Sequence, residues 1–175
     1  MHISIKVQRG LKQGLAMTTA LLFASFTVLF PVYAAETADV TATVTVQNIS
    51  VSVADGTVAY GTLALNTTAD TNPGDLQTAT NDGNVTVEFN IQGQDSANWT
   101  IAGSAGANQY VHQFCTATCG SPPTNYTALT TSYSTLAASV AAAGTQTFDL
   151  AITTPTSTAS YVQQNVDVTV QAALP

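Results

Sequence analysis

The chain reads as an all-β protein: a two-sheet antiparallel β-sandwich of immunoglobulin-like or jelly-roll type over residues 36–175, following an N-terminal signal helix. Three observations predict it. Short runs alternate valine, isoleucine or phenylalanine with threonine, serine or asparagine, the period of a half-buried strand. Turn-forming pairs such as Asp55-Gly56, Pro73-Gly74 and Asp82-Gly83 punctuate those runs. Few helices are predicted that could cover a parallel sheet.

Residues 1–35 read as a secretory signal peptide. Lys6, Arg9 and Lys12 form a basic n-region, residues 14–30 an apolar h-region, and Val32-Tyr33-Ala34 a small-residue cleavage box, with cleavage before Ala35 or Glu36. The alternative is an uncleaved anchor. The 3 basic residues of the chain all fall in this segment, whereas all 10 acidic residues lie from Glu36 onward. The mature chain therefore has no lysine or arginine. It repels nucleic acid and anionic lipid and cannot clamp a phosphate with a basic side chain. A secreted or cell-surface location follows, with membrane contact only transient, through the signal peptide. The expected partners are the protein itself or other cell-surface components. Residues 36–175 form one domain, large enough to bury a core.

Taken in order, residues 37–46 alternate Val40, Ala42, Val44 and Val46 with Thr41, Thr43 and Thr45, which predicts a first strand. The phase shifts near Gln47-Asn48, and Ile49, Val51 and Val53 continue on odd numbers, which predicts a bulge or a switch between sheets. Val58 and Tyr60 open a short strand interrupted by Gly61, and residues 66–75 read as a loop. Val85, Val87, Phe89 and Ile91 share one face of the clearest strand, and Trp99 beyond it is expected at the core. Residues 110–114 read as extended. In residues 126–140, Leu129, Tyr133, Leu136 and Val140 recur at helix spacing, but the threonine content opposes a helix, so a strand with a helical or irregular turn is expected. Phe148, Leu150 and Ile152, then Val166, Val168 and Val170, predict the last strands.

Four sets of residues are candidates for chemistry. Cys115 and Cys119, exported and with three residues between them, are expected to form a structural disulfide, since a redox pair prefers two intervening residues at a helix N-terminus. Asp70, Asn72, Asp75 and Asp82 are weak calcium candidates; their glycine sits at the wrong place for an EF-hand, and no glutamate closes the loop. No cofactor is expected beyond calcium at these residues. His112 is the one histidine of the mature chain, without a nucleophile-elbow motif around the serines. Five N-x-S/T sequons begin at Asn48, Asn66, Asn84, Asn98 and Asn125.

The strings TVTVQNISVSVADGTVAYGTLALNTTADT, CTATCG and TPTSTASYVQQNVDVTVQA resemble exported proteins of poorly cultured, small-genome bacteria, for which the resemblance implies no established activity. Trp99-Thr100-Ile101 resembles one half of the paired Trp-x-Leu signature of WxL-type surface modules, with isoleucine for leucine and no second copy. The general style is similar to TasA-like biofilm-fibre subunits. These resemblances imply a surface or fibre component. The expected function is a non-enzymatic structural or adhesive protein, a fibre or surface-layer subunit. The alternative is a carbohydrate- or peptide-binding module using loop aromatics such as Tyr126 and Tyr133. Residues 37–46 are expected either to close their own sandwich or to complete the sheet of another copy.

Overall fold

The computed structural model describes residues 37–175. The signal helix expected in residues 1–35 lies outside them. The chain divides into two units, residues 1–43 and 44–175. In the first, residues 37–43 are exposed and form no regular structure. The second carries ten strands: β1 (Val51–Ala54), β2 (Thr68–Asp70), β3 (Gln77–Asn81), β4 (Val87–Gly93), β5 (Thr100–Ile101), β6 (Gln109–Cys115), β7 (Thr127–Ala128), β8 (Ser134–Val140), β9 (Thr145–Thr153) and β10 (Val168–Ala173).

They build an all-β, two-sheet fold of the generic sandwich kind. The larger sheet runs β1-β3-β9-β6-β5, with β2 also on β9 and β7 also on β6; the smaller runs β10-β4-β8. Every strand pairing is antiparallel except β5 with β6, where Thr100 aligns with Gln109.

β4 shows why the sequence folds this way. Its odd positions Val87, Phe89 and Ile91 are fully buried, and the even positions between them are only half-buried. They pack with Ala79, Phe114, Leu129, Leu136, Val140, Phe148 and Leu150. Complete burial of such a side chain contributes about 1.5–3 kcal/mol. β9, the longest strand, serves β3 with its first half and β2 with its second, and β6 along its other edge. Asn81 closes the end of β3: its amide Nδ2 donates to the carbonyls of Val85, Val140 and Ala141, and its Oδ1 accepts from the Gly83 amide. A buried amide so completely satisfied fixes the β3–β4 turn against the β8–β9 turn.

Several expectations change. The first strand predicted over residues 37–46 does not form; residues 37–49 are all exposed and β1 begins only at Val51. The Val/Thr alternation supplies strand propensity, but among the described residues no neighbouring strand takes up its hydrogen bonds. At the predicted phase shift, Asn84 clamps the backbone in place of a bulge: its Oδ1 accepts from the Asn48 amide, and its Nδ2 donates to the Val46 carbonyl, both at 2.8 Å. The Asn84 amide also donates to the Asn48 carbonyl at 3.1 Å. Gly83 is required beside this clamp, because a Cβ there would meet the Asn48 carbonyl oxygen at 2.4 Å.

The strand expected at Val58 and Tyr60 is irregular as well. Asp55, Gly56 and Gly61 all adopt positive φ, which breaks extended pairing. Within the loop expected at residues 66–75, Thr68–Asp70 instead pairs with β9 as β2. Residues 126–140 hold two strands joined by an irregular turn and no helix. The helix-like spacing arises because Leu129 follows β7, whereas Leu136 and Val140 belong to β8, whose pairing with β4 slips twice.

Candidate functional site

The smaller sheet is open on one side. β10 pairs with β4 along one edge and has no backbone partner along the other among the described residues. Cα atoms of β1 and β10 come within 8 Å without pairing. A groove of about 1230 Å³ lies here, bounded by residues 56–65 and 160–168. Neither residues 56–65 nor residues 160–167 form a strand. Val53, Val58, Val168 and Val170 line it, together with Phe148, Leu150 and Ile152 of β9. Trp99, expected in the core, is only half-buried and borders this groove, its Nε1 donating to Thr158 Oγ1 at 2.9 Å.

His112 on β6 also lines the groove, and is 2% exposed. Its Nε2 meets the Tyr60 hydroxyl at 3.0 Å, and the two rings are edge to face. Its Nδ1 is buried and finds no hydrogen-bond partner among the described residues. Burial lowers its pKa to about 4, so the ring is neutral at neutral pH. The partner that holds it is a phenol. Burial, reinforced by the Asp149, Asp75 and Asp70 carboxylates and by Tyr126, pushes the Tyr60 hydroxyl well above the ordinary phenol range.

Sequence reasoning missed a second polar centre. Asp149 of β9 is fully buried and accepts hydrogen bonds from the hydroxyls of Thr71 and Tyr126, one on each oxygen. Thr71 Oγ1 in turn accepts from the Leu150 amide at 2.9 Å. One carboxylate thus ties β9 to the loop after β2 and to the segment entering β7. The Tyr126 hydroxyl is pushed up, by burial first and then by its bond to Asp149. The available signal was a lone carboxylate inside the apolar run Phe-Asp-Leu-Ala-Ile. Such a residue in mid-strand needs donors that are distant in sequence.

The calcium candidates separate. Asp70, Asn72 and Asp75 share a pocket of about 220 Å³ with Tyr60, whereas Asp82 follows the far end of β3. Asn72 Nδ2 donates to the Cys119 carbonyl at 3.4 Å, and Asp75 Oδ1 accepts from Gln77 Nε2 at 3.1 Å. Among the described residues no three His, Cys, Asp or Glu side chains gather as a metal-holding group. Cys115 and Cys119 are bonded to each other, with Cα atoms 5.7 Å apart, well inside the range a disulfide spans. Of the loop aromatics, Tyr133 is exposed, while Tyr126 is committed to Asp149. No family model matches the chain, and no curated protein or solved structure does either.

Proposed function

We propose that the protein is an exported, non-enzymatic β-sandwich that serves as a structural or adhesive subunit of a cell surface or extracellular fibre. The observation that carries this reading is the apolar groove beside the unpaired edge of β10, a surface suited to another polypeptide segment. The leader-like residues 1–35 and the absence of lysine and arginine after them fit an exported chain that avoids nucleic acid and anionic lipid. The two buried polar centres favour a structural role: His112 holds a tyrosine hydroxyl, and both oxygens of Asp149 are taken up by hydroxyls. The glycan-binding alternative draws less support, because Tyr126 is tied into Asp149 and is not free to stack on a sugar ring.

Fractionation of the producing cells tests the proposal. The expected result is a leaderless chain outside the cell or removable from its surface by added protease. Recovery of an uncleaved chain in the cytoplasm would overturn it. So would a turnover on a panel of ester, glycoside and peptide substrates that is abolished by His112→Gln.

A further inference from the structure

We infer that residues 40–46 of one copy fill the groove of a second copy, laid beside the unpaired edge of β10. This rests on the surface-subunit reading and names its partner: another molecule of the same chain. The donor is an anomaly that needs an explanation. Val40, Val44 and Val46 are 91, 92 and 82% exposed, three large apolar side chains spaced by even intervals on one face of an extended chain. Their hydroxyl-bearing neighbours Thr41, Thr43 and Thr45 occupy the other face. That is the pattern of a strand covered on one side and wet on the other, yet no strand forms there.

The acceptor lacks what this segment carries. β10 has six residues and one free edge. Seven extended residues span roughly 23 Å, and six span roughly 20 Å, so donor and edge match in length. Laid along β10, the donor would give its amides and carbonyls to the open ladder and its valines to the side of the groove lined by Phe148, Leu150, Val168 and Val170. Residues 40–48 bear no charge, so the insert itself brings none into an apolar space.

A second copy is favoured over the chain's own segment for a local reason. Asn84 pins Val46 and Asn48. To lie along its own β10, the segment would need a turn beside that clamp, and the residues just upstream of it are Val44-Thr45-Val46. That stretch has no Gly, Pro, Asn or Asp, and its β-branched residues prefer extended backbone. A donor from another molecule needs no such turn. The edge also lacks the lysines that guard free strands against such pairing, since the chain has none beyond Lys12.

Cysteine cross-linking tests this on the chain expressed with its own leader and purified from whichever compartment holds it. Thr41→Cys, Thr43→Cys and Thr45→Cys proteins are each mixed, under mild oxidation, with a Gln171→Cys protein, whose substituted residue sits exposed on β10. The native cysteines are already bonded to each other. The expected result is a covalent heterodimer in at least one mixture. It should be absent when an exposed Ser157→Cys protein replaces the β10 variant. It should fall at least about tenfold when the donor also carries Val40→Asp, Val44→Asp and Val46→Asp, because inserting carboxylates into an apolar groove costs well over 1.4 kcal/mol. Circular dichroism of that triple variant should match the parent, since all three sites are exposed. Equal cross-linking to positions 171 and 157, no cross-linking at all, or cross-linking indifferent to the aspartates would overturn the inference. A chain found outside the cell that fails these tests would leave the surface-subunit reading standing. A chain retained in the cytoplasm would sink that reading whatever its cross-links.

Discussion

β4 and residues 40–46 carry the same kind of sequence and meet opposite fates. Both alternate apolar residues with polar ones. β4 has a partner on each edge and a second sheet over its inner face, and Val87, Phe89 and Ile91 are completely buried. Residues 40–46 have neither, and their valines stand in solvent. β10 lies between these extremes, with one paired edge and Val168 and Val170 half-buried. The difference teaches that alternation specifies a strand only when a neighbouring edge and an apolar cover are supplied together. Where the chain leaves an edge and a cover without an occupant, and elsewhere a strand-like segment without a home, the two complement each other.

The most direct way to break this comparison is to empty the covered side. Phe89→Ala removes a fully buried ring between the two sheets and is expected to cost about 3–5 kcal/mol in urea unfolding. A cost under about 1 kcal/mol would mean that β4 is no better packed than the bare segment. His112 sharpens the comparison at the groove. Burial holds its folded pKa near 4, below the ordinary 6.5. The unfolded chain therefore takes up a proton as pH falls through 6.5, and the folded chain only near 4. Stability from the neutral ring is whole above pH 6.5 and is lost progressively down to pH 4. Relative to His112→Gln, the parent should lose roughly 3 kcal/mol across that window. Parallel pH profiles of the two proteins would show that the site is already hydrated and open.

The pattern of β4 was legible because its period, its inward set and its flanking turn all agree. Phe148, Leu150 and Ile152 announced β9, and Cys115 with Cys119 announced their disulfide. What escaped was non-local. Asp149 reads as a polar interruption until Thr71 and Tyr126 arrive from other parts of the chain. The groove was invisible because it is a missing strand, and no run of residues encodes an absence. The Val/Thr run within residues 37–46 predicts a first strand for a sound local reason, and only the lack of a neighbouring edge among the described residues tells otherwise.

Smaller effects lie away from the core. Reduction of Cys115–Cys119 opens a five-residue loop and should cost about 2 kcal/mol, lowering Tm by several degrees without loss of sheet signal. Collapse of the fold on reduction would contradict the view that the strands stand on their own packing. Val44→Asp should change the unfolding free energy of dilute protein by no more than about 0.5 kcal/mol, because its site touches little within the chain. A larger loss would place Val44 in contact with its own domain.

The central claim, that the exposed valine segment and the open edge of β10 are two halves of one joint, is tested most directly by amide hydrogen exchange measured at low and high protein concentration. Exchange should be fast in residues 40–46 and along the free edge of β10 in dilute protein. Both should gain protection together as concentration rises, while β4 stays protected throughout. Fast exchange in residues 40–46 at every concentration, or protection of β10 that does not track theirs, would contradict it.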